Sequence, residues 1–312
     1  MEVYMMDSST LRDIVILGRL PFLAGGFLLF CIGALLALLS GASFSLSRFL
    51  FGYAIFFTAQ LSLSYSNNYY DVEVDRYSQQ TAISGGSSVL LRRPDLKPFT
   101  IQFALLLVVL SLILAGAFAV IYDYPWWFVA FVAGGNALGW SYTAPPLRLA
   151  YRGWGEMATA LTYAFLMPGI GFLTFMSQFT WPFVLVAAPL LLYGLEFILS
   201  VELPDYASDR RAAKRTFVVR WGEHASLTVI LLALLAGTAV FATLALFASV
   251  DVPFDFGILA LLSLIPLSIG AVGLYQGPET RDAIERIALG NIAGLNLFAL
   301  AVIIYFAFLF LG

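Results

Sequence analysis

Nine apolar runs, each long enough to cross a lipid bilayer, set the limits on what this chain can fold into. They lie at approximately 15–40, 49–70, 98–121, 126–143, 156–177, 181–203, 226–248, 256–275 and 288–311. A hydrocarbon core of about 30 Å takes roughly 17–25 residues of helix. In hydrocarbon every backbone amide must find its partner within the membrane segment, and the strict alternation of an outer-membrane strand is missing, so the runs read as helices. Composition agrees: 61% of residues are apolar and 11% charged, with a mean hydropathy of +0.91, outside the range of a soluble domain. The expected fold is all-α and polytopic, one domain over residues 1–312. The segment up to Asp13 is polar, and the run after it exceeds a signal-peptide core, so it reads as the first membrane helix. A net charge of −3 leaves no basic stripe for nucleic acid, which is excluded as a partner. Cys31, the single cysteine, cannot form an intramolecular disulfide.

Basic residues orient the chain, because Lys and Arg are retained on the cytoplasmic side. With the N-terminus inside, Arg76, Arg92, Arg93 and Lys97 follow the second run, Arg148 and Arg152 the fourth, Arg210 to Arg220 the sixth, and Arg281 and Arg286 the eighth. Only Arg48 of the sixteen basic residues then falls outside. The outer loops are short and carry Asp123, Asp251 and Asp255, whereas those after the second and sixth runs are long and rich in both signs of charge. Chemistry is therefore expected on the cytoplasmic face. The second and sixth runs each lead into an acidic motif and then a basic segment, a coarse repeat whose halves can face one another across a cavity.

The first motif is NNYYDVEVDR. On a helix, Asn67, Asp71 and Asp75 at i, i+4 and i+8 drift by only about 80°, so their oxygens share one stripe. The second is ELPDYASDRRAAKRT, in which Asp205 and Asp209 repeat the spacing and Glu202 sits a turn earlier. Carboxylates this close repel unless a cation joins them, and sparse hard oxygen ligands with room for water and phosphate suit Mg²⁺. Arg76 follows the first motif, and Arg210, Arg211, Lys214 and Arg215 follow the second, placing positive charge where a leaving diphosphate gains negative charge. A single DxxxD at a membrane boundary is usually a solvated helix end, as the outer pair Asp251 and Asp255 illustrates. Two motifs on one side, both trailed by arginine, read instead as machinery for ionising an allylic diphosphate.

The run Asn67-x-x-x-Asp71-x-x-x-Asp75, a second Asp205-x-x-x-Asp209 leading into KRT, a later Trp-Gly, and YTAPPLRL after the fourth run together resemble the UbiA superfamily of intramembrane prenyltransferases. The resemblance covers nearly the whole chain. It implies nine helices around a central cavity, with Asn67, Asp71, Asp75, Asp205 and Asp209 holding two Mg²⁺ ions and a polyprenyl diphosphate, and an apolar tunnel for the tail that opens sideways to lipid. Many members carry an arginine-proline stretch after the first motif. Here the chain reads QQTAISGGSSVLL, and with YRGWGE at 151–156 it looks more like the branch of 1,4-dihydroxy-2-naphthoate polyprenyltransferases. That points to an aromatic acceptor and menaquinone-type synthesis.

Other polar residues carry two readings each. Ser84, Gly85, Gly86 and Ser87 suit either a phosphate nest or a plain turn. Tyr142 suits a diphosphate hydrogen bond or cation stabilisation, or else an interfacial belt. Arg148 suits phosphate binding or membrane anchoring. Glu156, opening the fifth run, suits an acceptor-orienting or base role, or a helix cap, and Glu202 is a second acceptor or base candidate. Glu196 falls about 180° from Asp205 on an ideal helix, which points to packing. His224 is expected to be an exposed loop residue. Three competing functions remain: the same chemistry on another acceptor, such as a 4-hydroxybenzoate-like ring or the glycerol hydroxyl of archaeal lipids; terpene cyclisation; and transport of an anionic solute, in which an acidic site belongs near mid-membrane.

Overall fold

The structure is a computed structural model that describes residues 8–77, 86–247, 252–277 and 280–312. Every expected apolar run is helical, and no β-strand occurs among the described residues. In chain order the helices are α1 (Ser8–Leu17), α2 (Leu20–Leu39), α3 (Leu46–Tyr70), the single turn α4 (Val72–Asp75), α5 (Val89–Arg92), α6 (Lys97–Ile121), α7 (Trp127–Thr143), α8 (Leu149–Arg152), α9 (Gly155–Leu161), α10 (Met167–Leu173), α11 (Trp181–Glu202), α12 (Tyr206–Arg211), α13 (Phe217–Trp221), α14 (Glu223–Phe247), α15 (Phe256–Leu262), α16 (Leu264–Gln276) and α17 (Arg281–Leu311). Among the described residues eight spans are long and apolar enough to cross a membrane. At 17 residues, α7 stands where the fourth expected span lies, so the nine runs recur approximately.

The departures have local causes. The first run is two helices, because Arg19 adopts a left-handed conformation (φ 48°, ψ 51°) and Pro21, at the start of α2, cannot donate a backbone hydrogen bond to a continuing helix. The eighth run breaks at Ser263, whose hydroxyl returns to the Ala260 carbonyl at 2.6 Å just before Pro266. The last helix starts at Arg281, well before residue 288, with the Thr280 hydroxyl capping the Ala283 amide at 3.2 Å. His224 is exposed as expected, but lies in the first turn of α14 rather than in a loop.

α2 packs along α10 and α17, α3 along α6 and α7, and α11 along α14, α9 and α17. Lipid tails are as apolar as leucine, so helix association in a bilayer depends on close backbone approach and shape. Gly33 and Gly171 supply it between α2 and α10, where a Cβ on either would overlap the facing carbonyl of Pro168 or Phe30. Phe30, Phe241 and Phe298 are fully buried and build the interior. Ile113, Val120, Leu246 and Phe308, each more than 60% exposed, form the lipid-facing surface.

Candidate active site

The first motif does not form one continuous helical stripe. α3 ends at Tyr70, Asp71 leaves helical geometry (φ −94°, ψ 6°), and α4 restarts with the Val74 and Asp75 amides donating to the Asp71 carbonyl at 2.8 and 3.0 Å. The second motif bends in the same way: α11 stops at Glu202, a tighter turn over Leu203–Asp205 contains Pro204, and α12 carries Asp209. The two short helices α4 and α12 pack against each other. That contact brings Asn67, Asp71, Asp75, Glu202, Asp205 and Asp209 to the wall of one cavity of about 700 Å³.

A single ammonium joins the two motifs. Ala213 is left-handed (φ 55°) and closes α12, and the Lys214 amide donates to the Asp209 carbonyl at 3.0 Å. Lys214 Nζ then lies 3.2 Å from Asp209 Oδ1 and 3.5 Å from Asp71 Oδ2. Burial works against its charge, but Asp71 and Asp209 outweigh burial and hold its pKa well above the ordinary lysine value. Tyr151, on α8, donates to Asp71 Oδ1 at 2.6 Å, and its phenol is held protonated by burial and by the Asp71 carboxylate. Arg148, left-handed at φ 46°, lies 3.8 Å over the Tyr151 ring. Thr143, at the end of α7, donates to Asn67 Oδ1 at 2.8 Å.

Asp75 is buried, and Gly86 makes room for it: at φ +62°, a Cβ on Gly86 would overlap the Asp75 carboxylate. Burial and the neighbouring Asp71 push the Asp75 pKa up to about 7, against the pull of Lys214 and Arg19. The donor set is all oxygen, and it faces a polar cavity with room beyond it, which suits a hard divalent ion that keeps waters and phosphate as ligands. Among the described residues no three carboxylate, imidazole or thiol groups stand close enough to enclose a cation. The protein thus offers an open set of ligands from two motifs, with the Lys214 ammonium standing between two of them.

The candidates named from sequence separate into three groups. Asn67, Asp71, Asp75, Tyr142, Glu202, Asp205, Asp209 and Lys214 line the cavity. Arg76 and Arg215 do not: both are exposed, and Arg76 pairs with Glu73 at 3.1 Å because the turn at Asp71 swings it outward. Arg148 touches the site only through Tyr151. Glu156 accepts a hydrogen bond from the Phe217 backbone amide at the start of α13, a contact with α13 rather than with the first turn of its own helix. Of the possible nest, Ser84 and Gly85 lie outside the described residues. The Ser87 amide and hydroxyl both donate to Asn68 Oδ1, at 3.2 and 2.6 Å, so that amide is already committed. Glu196 is fully buried on α11, accepts from Ser200 at 3.1 Å, and Ser200 in turn accepts from Asn291 of α17 at 3.0 Å. This chain of bonds ties two helices together. Asp255 of the outer pair caps α15, and Asp251 lies outside the described residues.

Sequence reasoning missed Arg19 and Tyr151. Arg19 lines the cavity with its guanidinium 4.4 Å over the Phe22 ring. Burial lowers its pKa, with Asp205, Asp75 and Asp71 pulling the other way. The available signal was a lone arginine at the head of an apolar run, two residues before a proline. Left-handed backbone at a residue other than glycine costs on the order of 1–3 kcal/mol and gathers at functional sites; Arg19, Arg148 and Ala213 all border this one.

Below the carboxylates the cavity becomes apolar. Arg19, Asn67, Tyr142, Ile198 and Val201 also line a second space of about 880 Å³. That space shares Phe22, Gln60, Thr159, Thr162, Met167 and Phe197 with a third of about 1100 Å³, which reaches half-buried Gly25 and exposed Leu289 and Asn296 at the seam of α2 and α17. The three spaces thus adjoin in sequence through shared walls, from a charged head to an apolar space at the seam of α2 and α17.

The sequence profile of the UbiA prenyltransferase family matches residues 27–292. A 1,4-dihydroxy-2-naphthoate octaprenyltransferase from Bacillus subtilis is 24% identical over 172 residues, 55% of this chain and 54% of that protein. The match spans about half the length of that curated relative. Among solved structures, a UbiA homologue from Archaeoglobus fulgidus with GPP and Mg²⁺ bound superposes with a TM-score of 0.65 at 16% identity, covering 93% of this chain and 99% of its own. A digeranylgeranylglyceryl phosphate synthase superposes at 0.64 with 14% identity, covering 95% and 98%. The fold is therefore that of these enzymes, and the profile extends across both aspartate motifs: the chain belongs to the UbiA prenyltransferase family.

Proposed function

We propose that this protein transfers a polyprenyl group from an allylic diphosphate to an aromatic acceptor, with 1,4-dihydroxy-2-naphthoate as the acceptor and Mg²⁺, two ions, as cofactor. The observation that carries the reading is Lys214 joining Asp71 and Asp209 at the head of a cavity that continues into an apolar passage. Asn67, Asp71, Asp75, Asp205 and Asp209 hold the ions. A divalent ion held there would supply positive charge to the diphosphate oxygens of the leaving group. Lys214 and Arg19 add fixed positive charge on the same cavity wall, and Arg76, Arg148 and Arg215 contribute a weaker outer field. Tyr142 lines both the charged cavity and the apolar passage, where the allylic cation forms, so its ring suits cation stabilisation. The apolar walls exclude water, leaving the electron-rich ring carbon as the nucleophile. Glu202, buried on the cavity wall with Oε2 unpartnered, is the candidate to take the ring proton.

The acceptor is supported by the naphthoate-type relative and by the QQTAISGGSSVLL and YRGWGE segments. Asp71 closes α3, and Asp205 ends the turn that follows α11, rather than either lying midway along a helix, which favours chemistry at a membrane surface over a carrier. The charge distribution supports a cytoplasmic N-terminus and a site on the cytoplasmic side. Asp71→Ala or Asp205→Ala is expected to abolish prenyl transfer while the detergent-solubilised protein keeps its helical signal, and EDTA to stop turnover until Mg²⁺ is returned. Full activity in either variant, or metal-independent turnover, contradicts the mechanism. Demethylmenaquinol formed from dihydroxynaphthoate, with the carboxylate lost as CO₂ and diphosphate released, identifies the acceptor; product from another ring or from a glycerol hydroxyl alone reassigns it and leaves the chemistry standing.

A further inference from the structure

Three apolar spaces meet at a junction whose polar side chains are Gln60 and Thr162. Gln60 lines the space below the carboxylates, the space that reaches the α2 and α17 seam, and a third branch of about 560 Å³ between α3, α7 and α10; only Thr162 and Met167 share that position. None of the residues lining the α3, α7 and α10 branch is exposed. Thr162 opens a wider helical turn over Thr162–Leu166, between α9 and α10. Gln60 Nε2 donates to the Phe22 carbonyl at 2.9 Å, which lays the amide flat against α2. It fits there because residue 26 is glycine: a Cβ on Gly26 would overlap the Gln60 amide nitrogen and oxygen.

We propose that the Gln60–Gly26 pair determines the length of prenyl tail the enzyme accepts, by keeping the branch toward α2 and α17 open. The inference rests on the donor assignment made above. Gln60 lies seven residues before Asn67 on α3, about 10 Å along the helix axis. A short donor ends near that level, whereas a long one must pass it. A side chain at 26 pushes the amide off α2 into the junction and closes the route to the larger branch.

The test compares octaprenyl with geranyl transfer at saturating acceptor. Gly26→Ala is expected to lower the octaprenyl-to-geranyl ratio of kcat/KM by about tenfold, the scale of a modest overpacking penalty. Gly26→Ala combined with Gln60→Ala, which removes the group that would be displaced, is expected to restore the ratio. Gln60→Phe, which fills the junction directly, lowers the ratio as well and serves if Gly26→Ala does not fold. An unchanged ratio in Gly26→Ala or Gln60→Phe, or a double variant that stays as impaired as Gly26→Ala, overturns the proposal. A parent enzyme that uses neither donor overturns the donor assignment instead, and so separates the two failures.

Discussion

At the scale of single residues the site concentrates charge that the fold must hold apart. Lys214 is one ammonium between two carboxylates, and Asp75 is a third carboxylate buried beside Gly86. Because burial and Asp71 raise Asp75 from its ordinary 3.8 to about 7, the folded protein binds this proton more tightly than the unfolded chain does. Its contribution to stability is therefore full below about pH 4 and is lost as pH rises through about 7. In the presence of a chelator, the thermal midpoint should fall between about pH 4 and about pH 7 in the parent protein and change less in Asp75→Asn. The same slope in both proteins would remove Asp75 as its source.

At the scale of elements the working parts are helix ends. α3 and α11 carry the motifs to a membrane surface, and the breaks at Asp71 and Pro204 turn α4 and α12 toward each other. Glu156, at the head of α9, holds the Phe217 amide of α13, three residues from Lys214. This makes it a positioning residue for the Lys214 loop. Glu156→Ala should cost about 1–2 kcal/mol, in the range of a lost helix cap, and lower kcat with little change in donor KM. Glu156→Gln keeps an accepting oxygen and should retain most of both stability and kcat. A Gln variant as inactive as the Ala variant would return Glu156 to the role of a base. The Glu196, Ser200 and Asn291 chain does similar work between α11 and α17. An ionisable group so deep in a membrane protein is costly unless it has partners.

At the scale of the whole molecule, charge sets direction. Fifteen of the sixteen basic residues lie on one side when the N-terminus is cytoplasmic, with Arg48 on the other; Arg48 is satisfied there by the Tyr122 ring at 4.9 Å. In a Cys31→Ser background, the Ser47→Cys variant should react with a membrane-impermeant thiol reagent on intact cells, and the Ala207→Cys variant only after permeabilisation. The opposite pattern would invert the assigned topology.

Membrane residence, the all-helical class, the approximate spans and the two carboxylate motifs were legible in the sequence because each depends on local chemistry. Apolar length against bilayer thickness and the helical repeat act within one segment. Arg19 and Tyr151 were not legible, nor was the outward turn of Arg76, since each depends on a break in the chain whose direction is set by packing against distant helices. The same holds for Glu156, which reads as a base or a cap until α13 arrives beside it. The i, i+4 spacing predicted oxygens on one face; only tertiary contact between α4 and α12 could decide that the two faces meet. Sequence patterns encode what a residue does to its own helix, while a site built from two helices about 130 residues apart in the chain is decided by which of their ends the fold can pack together.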